Sequence, residues 1–300
     1  MTARARLAVT LGDPRGIGAE VVRKALADER VIAAVEPTII GPEGTEQNAD
    51  VVVGSWSPGG TAADAGRFAG LAIERAVRLA RSGAVSGIVT APIDKHALLA
   101  GGYDYPGHTE MLAELTGSRT AMMLASERLR VVLATTHIPL RDVPAAVTAE
   151  VIATAARVTV QGLRDWFDIA EPRVALCALN PHAGDGGRFG TEDDTVLAPA
   201  AQRAGIAGPF SADTVFVRAI NGEFDAVIAP YHDVGMTAIK IASFGSAVNV
   251  TLGLPFPRTS PDHGTAPDIA GKGVARPDSM IAALLECARI VNRATPAGAR

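Results

Sequence analysis

The chain carries six histidines, His96, His108, His137, His182, His232 and His263. Imidazole ligates metals and carries protons near neutral pH. Three of the six share one setting. His137 follows the apolar run 131–136 and precedes Ile138-Pro139. His182 follows 174–181 and precedes Ala183-Gly184-Asp185-Gly186-Gly187. His232 follows 226–231 and precedes Asp233-Val234-Gly235. Each is predicted at the carboxyl end of its own strand. Three imidazoles on one such rim would form an open site for Zn²⁺ or a similar divalent ion, with positions left for substrate oxygens. One histidine in such a place is more often a cap or a loop residue. Three histidines in that one position favour a shared site, although their spacing matches no local metal motif.

Other residues suit anions. Residues 10–20 read Thr-Leu-Gly-Asp-Pro-Arg-Gly-Ile-Gly-Ala-Glu, a glycine-rich turn from strand to helix that contains Gly12 and Asp13. Backbone N–H groups exposed at a helix start bind negative charge. The turn is not the Gly-x-Gly-x-x-Gly fingerprint, and no Walker sequence occurs in the chain. Lys95 closes Thr90-Ala-Pro-Ile-Asp94, just after a buried strand. His108-Thr109 opens a predicted helix, where either residue could cap it or hold a ligand. Lys240, Asn249 and Arg258 interrupt apolar sequence. Arg258 lies in what reads as a rigid turn, Leu254-Pro-Phe-Pro-Arg-Thr-Ser260, and arginine suits bidentate binding of phosphate or carboxylate. Residues 262–273 hold three glycines and no hydrophobic periodicity, which reads as a ligand-binding loop.

These residues need a frame. Of 300 residues, 48% are hydrophobic and 20% charged, which excludes disorder over most of the chain. Aromatics are only 4%, so the core must be aliphatic. A net charge of −4 gives no general attraction to nucleic acid or anionic membrane. Two cysteines, Cys177 and Cys287, are too few for a disulfide scaffold. No secretory leader is seen, and no apolar run approaches the roughly 18 residues that span a bilayer. The expectation is a cytoplasmic protein. Strands are predicted at 7–11, 37–40, 87–90, 130–134, 173–178, 226–229 and 247–250. Helices are predicted at 19–27, 61–82, 108–116, 149–166, 195–204 and 279–294. Continuous apolar strands alternating with helices argue for an α/β/α layered fold around a parallel sheet. The stretch 41–60 reads as a surface loop.

Taken in order, several segments resemble the 4-hydroxythreonine-4-phosphate dehydrogenase family. They are 10–20, 90–95, 107–110, 135–140, 180–190, 231–235 and the stretch from Asn249 to His263, and they cover nearly the whole chain. Residues 262–273 also resemble the adenosine-binding loop of the β-decarboxylating dehydrogenases, which share that fold. The resemblance implies two α/β/α sandwich domains with a cleft between them, isocitrate/isopropylmalate dehydrogenase-like, without a conventional Rossmann domain. The first domain, on the nucleotide side, would comprise 1–107 plus 255–300. The second, on the metal and dimer side, would be 108–254. The implied cofactors are NAD, with NADP left open by Lys272 and Arg276, and one divalent ion (Zn, Mg, Co or Mn). The metal ligands would be His137, His182 and His232, one coming from the partner subunit of a homodimer. Substrate contacts would fall on His108, Thr109, Lys240, Asn249 and Arg258. Cofactor contacts would fall on Gly12, Asp13, His263, Gly264 and Asp268, the last toward the adenosine ribose. Asp233 and Lys240 are the candidate bases. No nucleic acid or membrane partner is implied.

The sequence departs from the family pattern at Arg15, where a small residue is usual, at Ala19, where proline is usual, and at Asp94, where asparagine is usual. The implied reaction is oxidation and decarboxylation of 4-phosphohydroxy-L-threonine to 3-amino-2-oxopropyl phosphate, in pyridoxal 5′-phosphate synthesis. D-threonate or D-erythronate 4-phosphate and a cis-diol are alternative substrates on the same fold. A non-redox metal enzyme is the alternative of a different class.

Overall fold

The apolar runs of this sequence become strands because their side chains vanish from solvent on both faces. Leu7, Ala8 and Val9 are fully buried, as are Ile88, Val89, Val227 and Ile228. The computed structural model of the protein describes residues 3–243 and 246–294. In chain order the elements of the first half are β1 (Ala5–Thr10), α1 (Gly18–Leu26), α2 (Glu29–Ala34), β2 (Val35–Glu43), β3 (Val51–Ser55), α3 (Ala62–Arg81), β4 (Gly87–Thr90), α4 (Lys95–Ala100), α5 (His108–Thr116), β5 (Ala121–Ala125) and β6 (Arg130–Leu133). There follow α6 (Val143–Ala146), α7 (Ala149–Phe167), β7 (Val174–Cys177), α8 (Ala198–Ala204), β8 (Ala207–Phe210), α9 (Ala212–Ile220), β9 (Ala226–Ala229), α10 (His232–Ser243), β10 (Val248–Leu252), β11 (Arg258–Ser260) and α11 (Asp278–Ala294).

The chain divides into two compact units, one of Met1–Ser118 with Leu254–Arg300, the other of Arg119–Gly253. In the first, the strands lie in the order β3-β2-β1-β4-β11, and every neighbouring pair is parallel. Helices α1, α2 and α11 pack together, with α11 against β1, β4 and β11, while α3 covers β1, β2, β3 and β4 and carries α4 and α5. Strand order reverses between β1 and β4, and ligands of open α/β sheets bind at such switch points, outside the carboxyl ends of the strands. Helix α3 starts on a capping box, with Thr61 and Asp64 each accepting from the other's backbone N–H. It then buries the stripe Phe68, Ala69, Ala72, Ile73, Ala76 and Val77.

In the second unit the order is β10-β5-β6-β9-β7-β8. Strands β6, β9, β7 and β8 are parallel neighbours, whereas β5 is antiparallel to both β6 and β10. Helix α7 packs on β5, β6, β7, β9 and β10. A core of Leu124, Val131, Leu133, Ala175, Val215, Val227 and Ile239 joins the sheet to α9 and α10.

Several expectations need correction. The sheet is not wholly parallel, because the short connection 126–129 between β5 and β6 permits only a hairpin. The stretch 41–60 is not all loop: β3 lies within it and extends the first sheet. Arg258 begins a strand rather than a rigid turn. The segment 108–118, assigned above to the second domain, belongs to the first unit, where Met111 and Leu112 of α5 enter the core beneath α3. Among the described residues no single helix is long and apolar enough to cross a membrane.

Gly66 permits the close approach of α3 to α4. A Cβ there would lie 1.7 Å from the carbonyl oxygen of Ala97. Gly66→Ala is expected to destabilise the protein by about 2 kcal/mol through overpacking. A urea midpoint equal to that of the parent protein would show that the helices separate without cost.

Candidate active site

In the first unit the switch point carries two loops, one leaving β1 and one leaving β4. They are bonded to each other: the amide of Asp13 donates to the carbonyl of Pro92 at 3.0 Å. Gly12 has φ +71°, and a Cβ there would sit 2.2 Å from that same Pro92 oxygen, so only glycine fits. The carboxylate of Asp13, 1% exposed, accepts from the Arg15 amide at 2.8 Å, Nε at 3.0 Å and Nη2 at 2.6 Å. It is therefore engaged by Arg15 rather than turned to a cofactor with its acceptors open. Arg15 Nη2 also lies 3.8 Å from Asp94 Oδ2. Two of the departures from the family pattern thus face each other as an ion pair. Asp94 additionally caps α4, accepting from the Ala97 amide at 2.8 Å.

Beside these loops, α5 starts with His108 and Thr109 after Gly107. His108 is half-buried, and its Nε2 is buried with no hydrogen-bond partner among the described residues. Burial, then the positive charges of Arg258 and Lys95, push its pKa well below the ordinary 6.5, so the ring is neutral. Arg258 is only 2% exposed and donates to the Thr90 hydroxyl. Burial lowers its pKa to about 10, against the opposing charge of Glu110, and it remains a cation at neutral pH. A dehydrated cation, a neutral imidazole with an unsatisfied nitrogen and a helix N-terminus are groups whose chemistry suits a phosphate or carboxylate.

The loop 262–273 lies in the same unit. His263 bonds through Nδ1 to the Gly264 carbonyl at 3.0 Å, and its Nε2 is buried without a partner among the described residues. Apart from its chain neighbours, no atom of the described residues lies within 4 Å of where a Gly264 Cβ would stand, and Asp268 is exposed.

In the second unit the parallel neighbours β6, β9 and β7 send the chain out toward His137, His232 and His182 respectively. The first two exits are tied. Ala134 N–H donates to the Ala229 carbonyl at 2.9 Å, and the buried Thr135 hydroxyl donates to the Pro230 carbonyl at 2.7 Å. The rings of His137 and His232 are 5.3 Å apart. His232 Nδ1 is 2.8 Å from Asp233 Oδ1, which leaves Nε2 to face a ligand. A carboxylate on the far nitrogen of an imidazole is the usual support of a metal-binding histidine.

His182 does not join them. Among the described residues no three His, Cys, Asp or Glu side chains gather as metal ligands. The turn after β7 runs left-handed through His182 (φ 53°), Ala183 (φ 54°) and Asp185 (φ 44°), and it carries the imidazole to within 3.9 Å of Asp213 instead. Such a backbone costs about 1 kcal/mol or more per non-glycine residue, so something must hold it. Asp193, fully buried, accepts from the Leu179 and Asn180 amides at 2.8 and 2.9 Å, and Glu192 accepts from the Asn180 side chain. Neither acid stood out in the sequence, because nothing local marks a carboxylate that will be buried beneath a loop thirteen residues earlier. Lys240 is exposed on the last turn of α10, two turns beyond His232. Asn249 is half-buried on β10, and its Oδ1 is buried without a partner among the described residues.

Known proteins resemble this chain over nearly its whole length. The chain is 42% identical to the 4-hydroxythreonine-4-phosphate dehydrogenase of Caulobacter vibrioides, with 98% of this chain and 99% of that one covered. It is also 42% identical to a Bradyrhizobium diazoefficiens protein provisionally assigned as D-threonate 4-phosphate dehydrogenase, over 95% of this chain and 96% of that one. The crystal structure of 4-hydroxythreonine-4-phosphate dehydrogenase from Klebsiella pneumoniae superposes with a TM-score of 0.84 at 38% identity, covering 97% of this chain and 99% of that one. The fold and these relatives define an α/β oxidoreductase acting on a CH–OH group. More narrowly, the chain belongs to the PdxA family, described as pyridoxal phosphate biosynthetic protein PdxA, which it matches over residues 8–287.

The neutral state of His108 has a consequence for stability. Its pKa is lowered on folding, so below the ordinary 6.5 the unfolded chain binds a proton that the folded chain does not. That residue therefore subtracts stability as pH falls beneath 6.5. His108→Gln should flatten the decline of the urea midpoint from neutral pH to about pH 5. An unchanged slope would mean that the folded site protonates the ring.

Proposed function

We propose that the protein oxidises the secondary alcohol of 4-phosphohydroxy-L-threonine with NAD and decarboxylates the product to 3-amino-2-oxopropyl phosphate, as a cytoplasmic homodimer. The observation that carries this reading is the buried Arg258 beside neutral His108 at the start of α5, a receptor built for a dehydrated phosphate. The family and the relatives named above support the same chemistry.

The residues fit the two implied groups to different degrees. Loop 262–273, with the orphaned Nε2 of His263, fits a dinucleotide. His137 and His232 fit a divalent ion as a pair, and His182 of a second copy of the chain would complete three ligands. When bound, the dinucleotide supplies the hydride acceptor and the metal ion supplies Lewis acidity toward the substrate's oxygens.

The remaining work falls to side chains of this chain. Arg258 holds the phosphate by charge, and His108 donates to it from Nε2 as a neutral imidazole. Thr109 adds its amide and hydroxyl at the helix start. Asn249 Oδ1, without a partner among the described residues, accepts from a substrate hydroxyl or ammonium and so orients the reacting carbon. Asp233 is occupied with His232 Nδ1, which suits it to orienting that ring. Lys240 is then the remaining candidate for accepting the hydroxyl proton.

A second reading has specific support. The Bradyrhizobium relative shares the same identity with this chain, and Arg15 and Asp94 depart from the usual pattern beside the phosphate receptor. D-threonate or D-erythronate 4-phosphate would use every residue just named.

The test is formation of reduced dinucleotide by metal-loaded protein, followed by absorbance, with the three phosphorylated acids and an unphosphorylated cis-diol as substrates. Turnover of the amino acid phosphate is expected. Turnover of a sugar-acid phosphate alone would favour the second reading, and no turnover of any phosphate would reject both. His232→Ala should lose bound metal and turnover while keeping its circular dichroism. Asp233→Asn should weaken metal binding by roughly 10- to 100-fold. Parent-like metal content in both variants would reject this metal site.

A further inference from the structure

The loop 262–273 has little secondary structure of its own, yet α1 and the turn leading into it grip it at both ends. At the first end the Ile17 amide donates to the Thr265 carbonyl at 2.9 Å, and Gly16 lies so close that a Cβ there would meet Thr265 at 2.8 Å. At the other end stands an ion pair inside the helix. Lys24 Nζ donates to Glu20 Oε1 at 2.7 Å, to the Gly273 carbonyl at 2.8 Å and to the Ala275 carbonyl at 2.8 Å. All three ammonium hydrogens are thereby used. Glu20 Oε1 also accepts from the Ala275 amide at 2.9 Å. Glu20 is 2% exposed and Lys24 26%.

An i,i+4 pair on a helix surface stabilises the helix only slightly, by roughly 0.2–0.5 kcal/mol. This pair does something else: both of its members spend their remaining hydrogen bonds on backbone more than 240 residues away in sequence. Between the two grips, 266–272 is left with short turns, Ile269 amide to Ala266 carbonyl and Lys272 amide to Ile269 carbonyl, around Ala266 at φ +42°. Such a segment has no strand or helix to hold it, so its shape is set at its ends.

We infer that Glu20 and Lys24 are positioning residues for dinucleotide binding, acting by fixing the carboxyl-terminal root of the 262–273 loop. The inference rests on the reading of that loop as the dinucleotide site. Preorganising a binding loop raises affinity by removing the cost of ordering it. Releasing the root is therefore felt in cofactor affinity more than in the chemical step.

Lys24→Met keeps the stem that packs along the helix and removes the three donors. The experiment compares the parent protein, Lys24→Met, Lys24→Arg and Glu20→Gln by calorimetric titration with NAD and NADP and by hydrogen exchange over 262–275. Arg23→Met, which removes an exposed charge from the same helix, is the control. Lys24→Met and Glu20→Gln are expected to raise the dinucleotide Kd and KM by about tenfold and to speed exchange in the loop, with kcat at saturating cofactor reduced less than about threefold. Lys24→Arg should recover part of the affinity, and Arg23→Met should match the parent. A Kd within about twofold of the parent in both Lys24→Met and Glu20→Gln would overturn the inference while leaving the loop's role intact. If the parent protein binds neither dinucleotide, the reading of the loop falls and the inference falls with it. Should Lys24→Met fail to fold, Glu20→Gln carries the decision alone.

Discussion

Both units depend on one kind of constraint, the tying of neighbouring strand exits to a proline carbonyl. In the first unit the Asp13 amide bonds to Pro92. In the second the Thr135 hydroxyl bonds to Pro230. Parallel strands all deliver their chain at the same edge, and unsupported loops there would splay. A proline carbonyl is a good anchor because the ring fixes φ of its residue. The first tie fixes the turn that presents Arg15 and opens α1. The second holds His137 and His232 within ring contact. The side chains that could do chemistry are thus placed by backbone geometry rather than by one another.

Electrostatics then sort these side chains into tasks. Arg258 keeps its charge although burial opposes it, while His108 loses its charge for the same reason. A cation and a neutral donor side by side bind an anion without repelling each other. A protonated ring next to the guanidinium would add attraction for phosphate but cost the empty site more. In the other unit the Asp233 carboxylate fixes which nitrogen of His232 is presented. Asp13 plays the matching part for Arg15, holding its guanidinium in one orientation through two bonds while a third fixes its amide.

Much of this was legible in the sequence. The buried strands β4, β6 and β9 and the helices α3 and α5 announce themselves by unbroken apolar runs and by 3.6-residue periodicity. The placement of three histidines at strand ends followed from the same pattern, and β6, β9 and β7 do lie side by side. What the pattern could not show is direction after the strand. The left-handed run from His182 to Asp185 depends on Asp193, a contact set by tertiary packing. Strand β3 was missed because Val51–Ser55 is short and only partly buried at a sheet edge. Strand β11 was hidden by its prolines, which punctuate 255–257 immediately before it. Arg15 and Asp94 each looked like a separate oddity in sequence and prove to be one ion pair.

The route of the chain through the first unit also bears on how the protein is made. That unit takes β11 and α11 from beyond Leu254, after the whole of Arg119–Gly253 has been threaded. On the ribosome, β1 to α5 emerge early, but the face that α11 covers on β1 and β4 stays open until the last helix leaves the exit tunnel. At about 5–20 residues per second, the interval is on the order of ten seconds or more. During it the second unit can complete its own sheet, since all six of its strands are contiguous in the chain. The nascent protein must therefore keep a half-covered parallel sheet from other chains for that time.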